Sequence, residues 1–71
     1  MSTIKCSEID DSGRGTWHVI YQSNGEDYLR HDFHRSINDS DSAQTRALEL
    51  FCLTADSYAQ KIVNSYKLER W

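Results

Sequence analysis

The sequence predicts an α+β domain: a three-stranded antiparallel β-meander followed by one long C-terminal amphipathic helix packed on one face of the sheet, in the order βββα. Three observations carry this. Asn24-Gly25 sits between two runs rich in aromatic and β-branched residues. A polar stretch with several helix-capping residues, Ser36 to Asp41, follows the second run. Beyond it, apolar residues recur at helical rather than strand spacing.

The hairpin rests on backbone chemistry. A two-residue type I′ turn needs positive φ at both central positions, and Asn-Gly tolerates this best. The flanking runs, Thr16–Gln22 and Asp27–Phe33, have the composition of strands. A two-residue loop sets the pairing, with Ser23 opposite Glu26, and hence Tyr21 opposite Tyr28, Ile20 opposite Leu29 and His18 opposite His31. Alternation then places Thr16, His18, Ile20, Leu29, His31 and Phe33 on one face. Trp17, Val19, Tyr21, Tyr28, Arg30 and Asp32 fall on the other. Both faces are then substantially apolar.

Ile4–Ile9 reads as the remaining strand. It is joined to the hairpin by Asp10-Asp11-Ser12-Gly13-Arg14-Gly15, a turn rich in glycine and Asx residues. The length of that loop decides which face Ile4 and Cys6 occupy, because a one-residue slip inverts a strand.

Asp39, Ser40 and Asp41 are N-cap candidates, and Asp41 with Gln44 has capping-box spacing. At 100° per residue, Ala47, Leu48, Phe51, Ala55, Tyr58, Ala59, Ile62 and Tyr66 share a face. Leu50 and Leu53 lie off it. A helix from Ser42 to Arg70 would be about 43 Å long at 1.5 Å per residue. A seven-residue strand spans only about 24 Å. The unbroken apolar phase favours one continuous helix. The alternative is a break near Thr54-Ala55-Asp56, with Thr54 capping a second helix.

With 71 residues the chain holds one domain, 1–71. Met1 to Lys5 has no apolar run, and no stretch is apolar enough to span a membrane. The two cysteines, Cys6 and Cys52, lie far apart, and without a secretory leader they read as reduced thiols of a cytoplasmic protein. Asn38-Asp39-Ser40 matches a glycosylation acceptor, which would matter only outside the cell. Residues 1–41 carry eight acids against four bases, and residues 42–71 three against four. An acidic chain of this kind is not expected to bind nucleic acid directly.

The candidate chemistry is sparse. His18 and His31, predicted as cross-strand neighbours, are weak candidates for a shared metal or a pH-responsive pair, with no obvious third ligand. In His31-Asp32-Phe33-His34 the two histidines are three apart and point to opposite faces of a strand. No cofactor is expected. Gly13 and Gly15 lie beside two acids and precede no helix, so they make no phosphate loop. A small enzyme, with Cys6 or Cys52 paired to a histidine, is the least favoured reading.

A single helix layer covers one sheet face only, so an apolar face remains. The reading is therefore a non-enzymatic module that binds a protein partner or itself as a homodimer. Its binding residues would be Trp17, Tyr21, Tyr28 and Arg30, residue types that dominate binding hot spots. Asp10, Asp11, Asp39 and Asp41, predicted at one end of the sheet, would supply electrostatic selectivity. One concrete version is a small acidic inhibitor of the phage or mobile-element type, anti-CRISPR-like for instance, that blocks a nucleic-acid-binding surface on a host complex.

Overall fold

The computed structural model describes residues 4–33, 37 and 39–71. His34 and Asn38, singled out in the sequence, lie outside the described residues. The elements in chain order are β1 (Lys5–Asp10), β2 (Trp17–Ser23), β3 (Glu26–Asp32), α1 (Ser40–Thr54), α2 (Ser57–Ile62) and β4 (Ser65–Arg70). The strands form one four-stranded mixed sheet in the order β1-β4-β2-β3. β1 and β4 are parallel, and the other two pairs are antiparallel. The three-stranded antiparallel meander with a single C-terminal helix is therefore corrected in three places: a fourth strand, a parallel pair and a second helix.

The hairpin turn forms as expected. Asn24 and Gly25 have φ of 53° and 86°, and Ser23 pairs with Glu26. The pairing beyond it differs by one residue. Gln22 pairs with Asp27 and Tyr21 with Leu29, which leaves Tyr28 as an extra residue in β3. This β-bulge inverts the rest of β3 relative to β2. Val19 now opposes His31, Ile20 opposes Arg30 and His18 opposes Asp32. Trp17, Val19, Tyr21, Leu29, His31 and Phe33 thus share one face. The bulge gathers the largest apolar side chains onto a single side, so the two apolar faces predicted from the sequence are not formed.

That side is covered by the helices. Trp17, Val19, Tyr21, Phe33, Tyr66 and Leu68 join Ala43, Ala47, Phe51 and Ala59 in one buried cluster, together with Ile4 and Val63. Small residues on the helices let them approach the large side chains of the sheet. The Tyr21 hydroxyl crosses the layer and donates to the Ala47 carbonyl at 2.6 Å. Burial pushes the Tyr21 phenol well above its ordinary pKa, so it remains a neutral donor.

The helical segment breaks, and does so at Asp56. Ala55 leaves the helix with extended backbone. The Asp56 side chain then accepts from the Ala59 N–H at 2.8 Å and starts α2. Thr54, the cap suggested by the sequence, instead donates to the Leu50 carbonyl at 2.6 Å. The first helix is capped at Asp39, whose carbonyl accepts from the Ala43 N–H. Asp56→Ala removes the one side-chain cap of α2 and is expected to cost about 1 kcal/mol, measurable by urea titration.

After α2 the chain turns extended at Val63 and re-enters the sheet. Ser65-Tyr66-Lys67-Leu68-Glu69-Arg70 alternates, with Tyr66 and Leu68 buried. Tyr66, predicted on the helical face, is opposite Tyr21 in the sheet. Tyr58, from the same predicted face, is exposed. The last strand in sequence therefore lies in the middle of the sheet, between β1 and β2. The two edge strands each carry a bulge, at Ser7 in β1 and Tyr28 in β3, a device that hinders edge-to-edge pairing between molecules. Among the described residues, no helix is long and apolar enough to cross a membrane.

Candidate interaction face

The face of the sheet away from the helices is built by the alternate residues of each strand. Two rows run across all four strands. One is Asp10, Glu69, His18, Asp32, and the next is Glu8, Lys67, Ile20, Arg30. The first row holds three carboxylates and no lysine or arginine. Lys5, opposite Ser65, and Asp27, opposite Gln22, belong to the same face.

His18 is the centre of the first row and is only 7% exposed, although no helix covers it. Trp71 supplies the cover. Its ring lies 4.1 Å from the imidazole centroid, tilted by 38°. The Arg30 guanidinium lies over the same indole, 4.4 Å from its centroid. His18 Nδ1 is 2.5 Å from Asp32 Oδ1. This hydrogen bond, together with the charge of Arg30, holds the Asp32 carboxyl below its ordinary range. The Trp71 indole N–H donates to Glu69 at 3.4 Å, and Glu69 also pairs with Lys67 at 3.7 Å. The exposed Trp71 ring is thus fixed by contacts on several sides.

Backbone contacts set the position of Trp71. Its N–H donates to the Thr16 carbonyl, and its own carbonyl accepts from the Gly15 N–H. The Arg70 side chain donates to the Gly15 carbonyl at 3.1 Å and pairs with Asp11 at 3.5 Å. Beside this cluster lies a shallow depression of about 240 Å³, bordered by Ile20, Asp27, Tyr28, Arg30, Lys67 and Glu69.

The residues predicted to bind a partner are divided by this arrangement. Trp17 and Tyr21 are fully buried against the helices and offer no surface, because the bulge places them on the covered side. Arg30 lies on the open face. Tyr28, at the bulge, is 43% exposed, with its ring 6.4 Å from that of Tyr58. Asp10 accepts from the N–H and hydroxyl of Ser12, which lowers its pKa. Asp11 pairs with Arg70. Asp39 and Asp41 serve the first turn of α1, and Asp41 borders a second shallow depression beside Arg46 and Glu49. No contact joins them to Asp10 or Asp11 among the described residues.

His18 and His31 are not neighbours. The bulge sends His31 to the helix side, where its Nε2 is 3.0 Å from the Thr54 hydroxyl, while His18 faces away. They cannot share an ion. Among the described residues, no group of three or more His, Cys, Asp or Glu side chains converges on a metal-sized site. Cys6 and Cys52 are free thiols, and partial burial raises the pKa of Cys6.

The sequence reading missed Trp71, Glu69 and Lys67 as site residues because it placed the last two in a helix. The signal that would have found them is the polar–apolar alternation from Ser65 to Glu69. Comparisons with protein-family models, with curated proteins and with solved structures gave no match.

Proposed function

We propose that this chain is a non-enzymatic protein-binding module that uses the open face of its sheet. The observation that carries this is the exposed Trp71, held in place by Arg30, His18 and Glu69, with exposed Tyr28 on the rim of the adjoining depression. Trp, Tyr and Arg dominate the energetics of protein interfaces. A large aromatic side chain already fixed in its surface position loses little conformational entropy when a partner covers it. The depression beside it is shallow, a shape suited to receiving side chains of a partner rather than enclosing a small substrate. The two free cysteines, in separate elements, support a reducing, cytoplasmic setting.

The test compares the wild-type chain with Trp71→Ala and Tyr28→Ala as baits in the native host, with thermal melts of each bait alongside. The expected result is a partner captured by the wild type and lost from both variants, while each variant still melts cooperatively. Retention of the same partner by both variants would overturn the assignment of this face. A wild-type bait that captures no partner would overturn the binding function itself.

A further inference from the structure

We infer that the partner of the open face is a basic polypeptide segment, whose cationic side chains lie against the row Asp10, Glu69 and Asp32 while its apolar side chains meet Trp71 and Tyr28. This rests on the reading that the face binds protein, and adds the chemistry of the partner. The whole face carries five carboxylates against three cations, so two of the three net negative charges of the chain lie on it. The cations nearest the acidic row are already engaged within the face. Lys67 is paired with Glu69, and Arg30 is 3.9 Å from Asp32 while stacked on Trp71. Asp32 nevertheless stays open to solvent, with 70% of its side chain exposed. An incoming cation therefore finds carboxylate oxygens still accessible next to an aromatic ring, a pairing that favours lysine or arginine over neutral side chains.

The same charge argues against the other occupants. In a two-fold dimer through this face, each acidic row would meet a surface of its own sign, which disfavours self-association there. A nucleic acid would be repelled for the same reason. A protein surface evolved to bind nucleic acid has the required chemistry, basic and partly aromatic, so such a surface is one form this partner takes.

The probe is a fluorescein-labelled peptide of alternating arginine and valine, compared with one of alternating glutamate and valine, followed by anisotropy. The arginine peptide is expected to bind saturably and the glutamate peptide not to. The triple variant Asp10→Asn, Asp32→Asn, Glu69→Gln keeps a hydrogen-bond acceptor at each position. It is expected to bind the arginine peptide at least about tenfold more weakly, as loss of charge complementarity requires, and wild-type binding should weaken with added salt. Absence of saturable binding, equal binding of both peptides, or unchanged binding by the triple variant would each overturn the inference. If a host partner is still lost on Trp71→Ala in any of those cases, the face remains a binding face and only the basic chemistry of its partner is wrong. If neither the charge variant nor Trp71→Ala changes capture, the binding face itself is wrong.

Discussion

Leu68→Ala is expected to destabilise the protein by about 2–5 kcal/mol, the range for emptying a leucine-sized volume in a packed core. For a chain this short the whole stability is on the order of 4–11 kcal/mol, so the variant is at or near the limit of folding. Leu68 is fully buried and lies opposite Val19 on one side and Ile9 on the other. With Tyr66 it is therefore one of two buried residues through which β4 joins both neighbours. The control is Leu53→Ala, a chemically identical change at a position that is 75% exposed on α1. It should shift stability by no more than about 0.5 kcal/mol. Urea titrations of the two variants, followed by tryptophan fluorescence, measure the difference directly. The pair also distinguishes the two readings of the C-terminal segment. In a helix running to Arg70, Leu68 would lie off the apolar face and its truncation would matter little. Equal, small effects at both positions would contradict a buried fourth strand.

That contrast shows what could be read from the sequence. The turn was legible because its chemistry is local: Asn24 and Gly25 alone satisfy the backbone demand, whatever surrounds them. The start of α1 was legible for the same reason, as was its buried stripe of Ala47 and Phe51. The bulge at Tyr28 was not. The two-residue turn accommodates both the direct pairing of Tyr21 with Tyr28 and the bulged one, and burial of Phe33, with partial burial of Leu29 and His31, on the side of Tyr21 decides between them. That is a tertiary preference overriding a local rule. The C-terminal strand was misread because Tyr66 satisfies two periods at once. It continues the helical phase of Phe51, Ala59 and Ile62, and it also begins the alternation completed by Leu68. The longer pattern looked stronger, although Asp56, a good cap, marked where it ends.

The candidate site shared the fate of the strand. Arg30 and Tyr28 were identified by residue type and remain on the surface. Trp17 and Tyr21 were chosen by the same criterion and are core residues, because one bulge separates the two pairs. Trp71 gave no local sign of its role. Its ring is placed by contacts to His18 and Arg30 on two other strands, and these exist only once β4 lies beside β2. Of the four side chains expected to bind, the proposed face therefore keeps Arg30 and Tyr28 and adds Trp71, and its acids are those that line the open side of the sheet.

Gly15→Ala should disturb that arrangement at its base. A Cβ added at Gly15 would fall on the carbonyl of Trp71, and one at Gly13 on the carbonyl of Arg70. Both obstacles are backbone, so no rotamer change relieves them. The chain must withdraw the end of β4 from the 11–16 loop, with loss of the Gly15–Trp71 and Trp71–Thr16 hydrogen bonds. The expected cost is about 1–3 kcal/mol, as for other insertions into a filled space. Gly25→Ala provides the comparison. The space around Gly25 is open, but its φ of +86° suits an L-residue poorly, so the loss there is similar, about 1–2 kcal/mol. Stability alone therefore does not separate the two variants, whereas the environment of His18 does. Withdrawal of Trp71 uncovers the imidazole and removes its ring current, so Gly15→Ala should move the His18 NMR resonances and raise the exposure of one tryptophan to an aqueous quencher. Gly25→Ala, at the opposite end of the hairpin, should leave both unchanged. If Gly15→Ala leaves the His18 resonances where they are, Trp71 is not held over His18 by the loop, and the proposed face loses its fixed aromatic residue.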